Sequence, residues 1–247
     1  MPNRTRTPPD SSAARARSRS HSHTSGGRVS ANARVASRIA KQRSIAGQSP
    51  SVSVRAAMRA CGNVSARSTI ARDVEVNRMD TEMDERCIRL LALHQPAASD
   101  LRFITTGLKI TTDLERIGDN AVNICERAVE LNQEPQLKPY IDIPRMAQIA
   151  QSMVKDSLDA FMRDDTTLAE EVIDRDDEVD QLNYQIYREL LSYMVEDPET
   201  IAPATKVLFV SKYIERIADH ATNIAEMVVF MVEGRNIKHM EKEHARD

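Results

Sequence analysis

The sequence contains two copies of one twelve-residue segment, which lie one hundred residues apart. The first copy spans residues 115–126, the second spans residues 215–226, and eight of the twelve positions are identical. A weaker correspondence pairs residues 73–79 with residues 176–182. Solenoid repeats have periods of roughly 20–50 residues, so this longer period indicates the duplication of a whole helical folding unit.

Both copies carry the pattern of amphipathic helices. Between residues 73 and 233 there are only two glycines, and the prolines cluster where helices would end or begin. Apolar residues recur every three or four positions between these points, which is the spacing of a helix face directed towards a core. The prediction is an all-α fold with helices at residues 73–94, 98–132, 144–163, 167–196 and 200–233. Thr167 and Glu170 predict a capping box at the start of the fourth helix.

Composition disfavours several other classes of protein. Aromatic residues make up only 4% of the chain, which argues against an all-β sandwich or barrel. There is no run of eighteen uncharged apolar residues, so we expect no transmembrane segment. The three cysteines form no CxxC pair, which argues against a disulfide framework and a thiolate zinc site and suits a reducing compartment.

The first 72 residues differ in kind from the rest of the chain. They hold thirteen Arg, one Lys and a single acid, whereas residues 73–247 hold 20 basic and 36 acidic residues. Apolar residues are sparse and aperiodic there, so we expect residues 1–72 to be disordered. Three explanations stay open: a basic tail for nucleic acid or an anionic membrane, an organelle transit peptide, and translation out of frame. The abrupt change near Asp73 favours the third.

These features divide the chain into four parts. Residues 1–72 are the basic segment, residues 73–138 the first repeat, residues 139–238 the second repeat, and residues 239–247 a charged tail. The second repeat contains three predicted helices, whereas the first contains counterparts of only the last two. The predicted architecture is therefore two tandem three-helix bundles, with the opening helix of the first bundle missing or disordered.

Oxygen-bearing side chains recur at a four-residue spacing in both repeats. The pairs are Glu115 and Asp119, Glu215 and Asp219, Asp176 and Asp180, and Asp73 and Asn77, with Asn123 and Asn223 one turn further along two of the rows. Side chains four apart share one helix face, so packing of adjacent helices would gather four of them. Like charges at that distance repel each other unless a cation lies between them. Carboxylate and amide oxygens are hard ligands, suited to Mg²⁺, Mn²⁺, Ca²⁺ or iron.

A metal site is not the only interpretation of these acids. Acid pairs are common on solvated helix faces, and the adjacent Arg116 and Arg216 could neutralise them without a metal. His220 has no equivalent at Asn120, so we interpret it as a hydrogen-bonding residue rather than a shared ligand. No Glu-x-x-His motif of a di-iron oxidase lies near the acids, and there is no Gly-rich phosphate loop or nucleophile elbow. No catalytic residues are therefore predicted.

Longer segments around these acids resemble a known family. Residues 114–121 and 213–223 resemble the paired signatures of the PhoU family, and residues 90–96 with 99–102 are similar to its first repeat. The resemblance covers residues 73–238 and implies two three-helix bundles in a cytoplasmic protein that is not an enzyme. Residues 1–72 do not resemble the family's opening helix.

The same resemblance implies a phosphate-signalling adaptor, which negatively regulates the phosphate-starvation response and phosphate uptake. The implied partners are the ATPase subunit of a phosphate ABC transporter and a phosphate sensor histidine kinase. A homodimer is expected, with no specific nucleic acid, and with peripheral attachment at the inner membrane through the partners.

Some members of the family bind metal clusters through an acid followed by Asp four residues later. The resemblance therefore implies divalent or ferric ions (iron, zinc, manganese or magnesium) at the acid pairs, with weaker binding in the first repeat, where Asn77 replaces an acid. The rival hypothesis is a metal-dependent carboxylate-bundle enzyme, either a hydrolase or an oxidase.

Overall fold

The structure, a computed structural model, describes residues 62–96 and 98–237. This part of the chain is helical, which confirms the predicted all-α fold. In chain order the helices are α1 (Gly62–His94), α2 (Ser99–Leu131), α3 (Asp142–Arg163), α4 (Thr166–Asp174), α5 (Asp176–Glu196) and α6 (Ile201–Glu233), with a 3₁₀ turn at Pro198–Thr200. None of these helices combines the length and the apolar character that crossing a bilayer requires.

The observed bounds of α2, α3 and α6 lie close to the predicted ones. Pro144 and Pro203 stand in the first turns of α3 and α6, where the missing N–H would have had no partner within the helix. Gly234 ends α6 in the left-handed conformation, at φ 73°, and its N–H donates to the carbonyl of Phe230 at 2.9 Å.

The first helix begins earlier than predicted. It starts at Gly62 rather than at residue 73, so the expectation of disorder is wrong for residues 62–72. Burial explains the difference, because Ala66 in this stretch is fully enclosed. The rest of the basic segment lies outside the described residues, as does the whole predicted tail at residues 239–247. The expectation of a missing or disordered opening helix in the first bundle therefore stays a prediction.

The predicted helix at residues 167–196 is two helices. The chain bends at Arg175, whose guanidinium donates to Asp156 of α3 at 2.8 Å and to the Ser152 hydroxyl at 3.1 Å. Neither Pro nor Gly, the residues that usually break a helix, stands at this bend. The helical pattern of the sequence therefore did not predict it.

The predicted capping box is also wrong. The Asp165 carboxylate caps α4 by accepting from the N–H of Leu168 at 3.1 Å. An Asp side chain is a strong helix cap and precedes the predicted Thr167 by two residues.

The central helix is α6, which packs against α2, α3, α4 and α5, whereas α1 packs against α2. Most buried apolar residues of both repeats form one continuous core, apart from a small separate cluster on α1. Leu114 and Ile117 of α2 belong to the same cluster as Ile214 and Ile217 of α6. The predicted repeat boundary at residues 138 and 139 falls in the loop between α2 and α3. The repeats therefore share a hydrophobic core instead of each having its own.

Gly118 lies where α1 approaches α2. A Cβ atom built there would be 3.4 Å from Asp73 Oδ1 and 3.5 Å from Val76 Cγ1, which is ordinary van der Waals contact. The corresponding residue of the second repeat is Ala218.

We predict that Gly118→Ala stabilises the protein by about 0.5–1 kcal/mol, because glycine in a helix interior costs that much relative to alanine and the methyl group fits. The measurement is the free energy of unfolding in urea. The matched control is Ala218→Gly, which should destabilise by at least as much because Ala218 is buried. A loss of stability in Gly118→Ala would show that the α1–α2 contact is tighter than described.

Candidate functional site

The first group of polar residues lies where α1 packs on α2. We call it the first acidic cluster, and it contains Asp73, Asn77, Asp80, Glu115 and Asp119. Asp73 Oδ2 accepts a hydrogen bond from Asn77 at 3.0 Å. The other oxygen of Asp73 and Oδ1 of Asp80 are buried and have no hydrogen-bond partner. This seam therefore encloses carboxylate oxygens whose charge is not compensated locally.

An arginine on the outside of α2 partly neutralises this cluster, as the sequence suggested. The Arg116 guanidinium is 3.4 Å from Glu115 Oε2 and 3.5 Å from Asp119 Oδ2. Its side chain is 58% exposed, so both ion pairs are weak and strongly screened by solvent. The charge of Arg116 also lowers the pKa of Asp80, but burial and the charge of Asp84 outweigh it.

The second acidic cluster lies between α5 and α6 and contains Asp176, Asp180, Glu215 and Asp219. Oδ1 of Asp176 is buried without a hydrogen bond, and so is the hydroxyl of Thr222 on α6. The ammonium group of Lys212 forms an ion pair with Glu215. The structure thus brings together the four acids that the sequence predicted for this repeat.

Burial is the main cause of raised pKa values in the first cluster. It raises the pKa of Asp73, with the charge of Asp119 adding to the effect and the Asn77 hydrogen bond opposing it. It also raises the pKa of Glu115, to which the charges of Asp119 and Asp80 contribute. The pKa of Asp80 is raised by burial and by the charge of Asp84. These shifts show that α1 and α2 hold their acids close enough to repel one another.

The same causes act more strongly in the second cluster. Burial, followed by the charges of Asp219 and Asp180, raises the pKa of Asp176 to about 6. The nearby Thr222 hydroxyl opposes this rise, although the pair falls short of hydrogen-bond geometry. Burial and the charge of Glu215 raise the pKa values of Asp180 and Asp219. The Asp219 side chain is exposed to solvent. The packed helices around its carboxylate therefore reduce hydration but do not bury the group completely.

The donor chemistry of both clusters fits a hard cation. Each cluster offers carboxylates from two adjacent helices, and Asp73, Asp80 and Asp176 keep a buried oxygen that no protein group satisfies. In the part of the chain that the structure describes, no three His, Cys, Asp or Glu side chains converge closely enough to enclose an ion. The clusters therefore supply suitable ligands, which must rotate to coordinate one ion. Their assignment as metal ligands stays a prediction.

Asp80 was missed in the sequence, and it changes the comparison of the repeats. It lies seven residues after Asp73 and three after Asn77, so all three share one face of α1. Its counterpart in the second repeat is Asn183. The first cluster thus has as many carboxylates as the second. The replacement of an acid by Asn77 is therefore no longer a reason to expect weaker metal binding in the first repeat. Helical spacing could have identified Asp80 in the sequence, because this residue extends the row of Asp73 and Asn77 by one turn.

The two clusters differ instead in their nearest cation. Lys212 faces the second cluster, and its charge lowers the pKa values of Asp180 and Asp219. The equivalent residue of the first repeat is Thr112. Both counter-ions are about half-exposed, so the clusters differ in where the cation lies on the helix and not in its burial. This lysine was not among the residues predicted from the sequence.

Three other residues that the sequence singled out have different positions. Asn123 and Asn223 lie one turn beyond the acid pairs and are half-buried, and their role as additional ligands stays a prediction. Nδ1 of His220 is 2.8 Å from Oδ1 of Asp113, which lies on α2 and is largely buried. His220 therefore links the second repeat to the first beside the second cluster, consistent with the hydrogen-bonding role inferred from the sequence.

Comparison with known proteins gives matches across both repeats. The family model of the PhoU domain matches residues 52–128 and 143–228. The expectation that residues 1–72 do not resemble the family is therefore wrong for residues 52–72. A phosphate-specific transport system accessory protein PhoU homolog of Aquifex aeolicus is 47% identical over 174 residues, which cover 70% of this chain and 79% of that protein.

Two crystal structures have the same fold. PhoU from Pseudomonas aeruginosa is 35% identical, with a TM-score of 0.73, and the match covers 85% of this chain and 97% of that one. The phosphate transport system regulatory protein PhoU from Streptococcus pneumoniae is 25% identical, with a TM-score of 0.70, and the match covers 86% of this chain and 96% of that one.

We predict that Asp176→Asn flattens the pH dependence of stability in metal-free protein. The pKa of Asp176 is raised to about 6, so the folded state binds more protons than the unfolded state between about pH 4 and pH 6. The wild type should therefore lose stability as the pH rises through that window. The variant should be more stable at pH 8 by about 1 kcal/mol after allowance for solvent screening, and equal near pH 4.

The measurement is urea unfolding at several pH values in the presence of a chelator. Asp177→Asn is the matched control, because it removes the same charge from an exposed neighbour and should change the slope less. Identical slopes for wild type and Asp176→Asn would show that the pKa of Asp176 is not raised in the folded protein.

Proposed function

Because this chain belongs to the PhoU family, we propose that it is a phosphate-signalling adaptor that negatively regulates the phosphate-starvation response and phosphate uptake. It links the ATPase subunit of a phosphate ABC transporter to a phosphate sensor histidine kinase. The observation that carries the proposal is the family match across both repeats, together with relatives named as phosphate transport accessory and regulatory proteins. The homodimer and the cytoplasmic position beside the inner membrane belong to the same proposal.

A regulatory role fits the described residues better than an enzyme does. A hydrolase needs a positioned base or nucleophile beside the metal, and an oxidase needs a redox ligand set such as Glu-x-x-His. His220 adjoins the second cluster, and its Nδ1 contact with Asp113 joins α6 to α2, so we assign this histidine to the contact between the repeats. The acids face one another across helix seams, which suits a structural or sensing role.

In this proposal the clusters hold divalent or ferric ions. Asp73, Asp80, Glu115 and Asp119 would hold one ion between α1 and α2. The second set, Asp176, Asp180, Glu215 and Asp219, would hold another between α5 and α6. A bound cation supplies the positive charge that the buried oxygens lack, so it would relieve repulsion and tie each helix pair together. The acids of this chain would then make the packing of each seam depend on ion occupancy.

The regulatory role is tested in a bacterial strain whose own PhoU gene is deleted and which carries a reporter for phosphate-starvation genes. Expression of this chain should return the reporter to its low level in phosphate-rich medium, since the proposed adaptor keeps the response off. Co-purification with the transporter ATPase and the sensor kinase checks the proposed link. A reporter that stays high, although folded protein accumulates, would contradict the proposal.

The ion sites are tested by calorimetric titration of metal-free protein with Mn²⁺. Glu115→Gln/Asp119→Asn should remove binding at the first cluster, and Glu215→Gln/Asp219→Asn should remove binding at the second. Lys212→Gln should strengthen binding at the second cluster about fivefold, because the half-exposed ammonium that competes for Glu215 is gone.

Arg216→Gln is the matched control, because it removes the same charge from an adjacent exposed position and should change Mn²⁺ affinity little. Equal gains in both variants would show that only the overall charge matters. If the wild type binds no Mn²⁺, the clusters are ordinary acidic seams and the ion proposal fails.

A further inference from the structure

A surface groove of about 480 Å³ lies between α5 and α6, next to the second acidic cluster. Tyr184 and Tyr187 of α5 form one wall, and Leu208 and Phe209 of α6 form the other. The three aromatic side chains are largely open to solvent, at 62%, 46% and 49% exposure for Tyr184, Tyr187 and Phe209. Contiguous exposed apolar surface of this kind marks contact sites for other molecules.

The groove continues into an apolar stripe along α5. Leu191 and Val195 are exposed and follow Tyr187 at four-residue intervals, so with Tyr184 they share one helix face. This face is about 17 Å long. It lies opposite the buried face of α5, which contains Val179, Leu182, Ile186 and Leu190. The core therefore does not account for the stripe.

The first repeat does not carry aromatic residues at the positions equivalent to this groove. The positions that correspond to the three aromatic residues carry polar side chains: Thr81, Asp84 and Lys109. The first repeat builds its helix pair without aromatic residues on this surface. Folding of the repeat therefore does not explain why the second copy carries them.

One end of the groove is acidic and already accommodates a cation. Asp180 and Glu215 line this end, and the Lys212 ammonium pairs with Glu215 there while remaining half-exposed. The Arg188 guanidinium lies over the Tyr184 ring, 5.9 Å from its centroid. These contacts of the chain's own Lys212 and Arg188 show that the groove pairs cations with a carboxylate and an aromatic face, the two partners that a guanidinium prefers.

We propose that this groove is the docking site for an amphipathic helix of a partner protein, with the apolar face of that helix on the α5 stripe and an arginine at the Asp180 end. Charge complementarity at the acidic end and the length of the stripe select this occupant. Helices commonly bind in this way, with apolar anchors in a groove and charges at the rim. The inference rests on the proposed adaptor role only in requiring a protein partner.

The test uses the metal-free full chain labelled with fluorotyrosine, so that no ion competes for Asp180. The probe is a capped amphipathic peptide of about twelve residues, with leucines on one face and arginine at each end. The five tyrosines give separate fluorine NMR signals, which Tyr184→Phe and Tyr187→Phe assign. The peptide should shift the Tyr184 and Tyr187 signals and leave Tyr140 unchanged. The same peptide with citrulline, a neutral isostere of arginine, should bind at least fivefold more weakly.

Two variants at exposed positions check the groove itself. Asp180→Asn should weaken binding of the arginine peptide about fivefold, and Phe209→Ser about tenfold, whereas Asp177→Asn changes the charge equally and should have little effect. Equal binding of the citrulline peptide, or no shift at Tyr184 and Tyr187, would overturn the proposal. If these signals shift when the protein concentration alone is raised, the groove binds a second copy of this chain, and the proposal of a partner helix is overturned. Because the peptide is measured directly, failure here leaves the reporter result for the adaptor role unaffected.

Discussion

The packing of α2 against α6 is the contact on which the rest of this structure depends. These two helices carry the duplicated segment, and equivalent positions from each, such as Ile117 and Ile217, lie in one continuous core. Each helix therefore uses one side to join the repeats and another to pack against α1 or α5. The acid pairs lie on those outer seams. The hydrophobic contact between repeats thus fixes where both clusters lie.

Repulsion among the acids of each cluster opposes the helix packing that brings them together. Burial and mutual repulsion raise the pKa values of several acids, so holding them ionised in the seams lowers the free energy of unfolding near neutral pH. Apolar contacts such as Met79 of α1 and Val179 of α5 lie along the same seams and keep the helices together. A cation that reached such a seam would offset this repulsion. This effect is the physical basis of the proposed sensing role.

Duplication has produced two similar seams that differ in detail. The first cluster has Asp80 and an exposed arginine outside it, whereas the second has Lys212 within reach and an aromatic groove beside it. His220 adds a polar link from the second seam to Asp113 of the first repeat. These differences concern charge and exposed surface, whereas apolar residues of both repeats contribute to one common core. The repeats have therefore kept one architecture and acquired different surfaces.

The sequence by itself determined the all-α fold, the repeat and the eight paired residues of the clusters, because helical periodicity and four-residue spacing are local properties of the chain. It placed most helix ends well, since Pro144, Pro203 and Gly234 act through backbone geometry. The tertiary structure alone decided the bend at Arg175, the early start of α1 and the shared core, because each depends on contacts between residues distant in sequence. Asp80 follows the same helical spacing and could have been identified in the sequence. Only the tertiary structure decided that Lys212 lies beside the acids and that an aromatic groove adjoins them, since neighbouring helices create those surroundings.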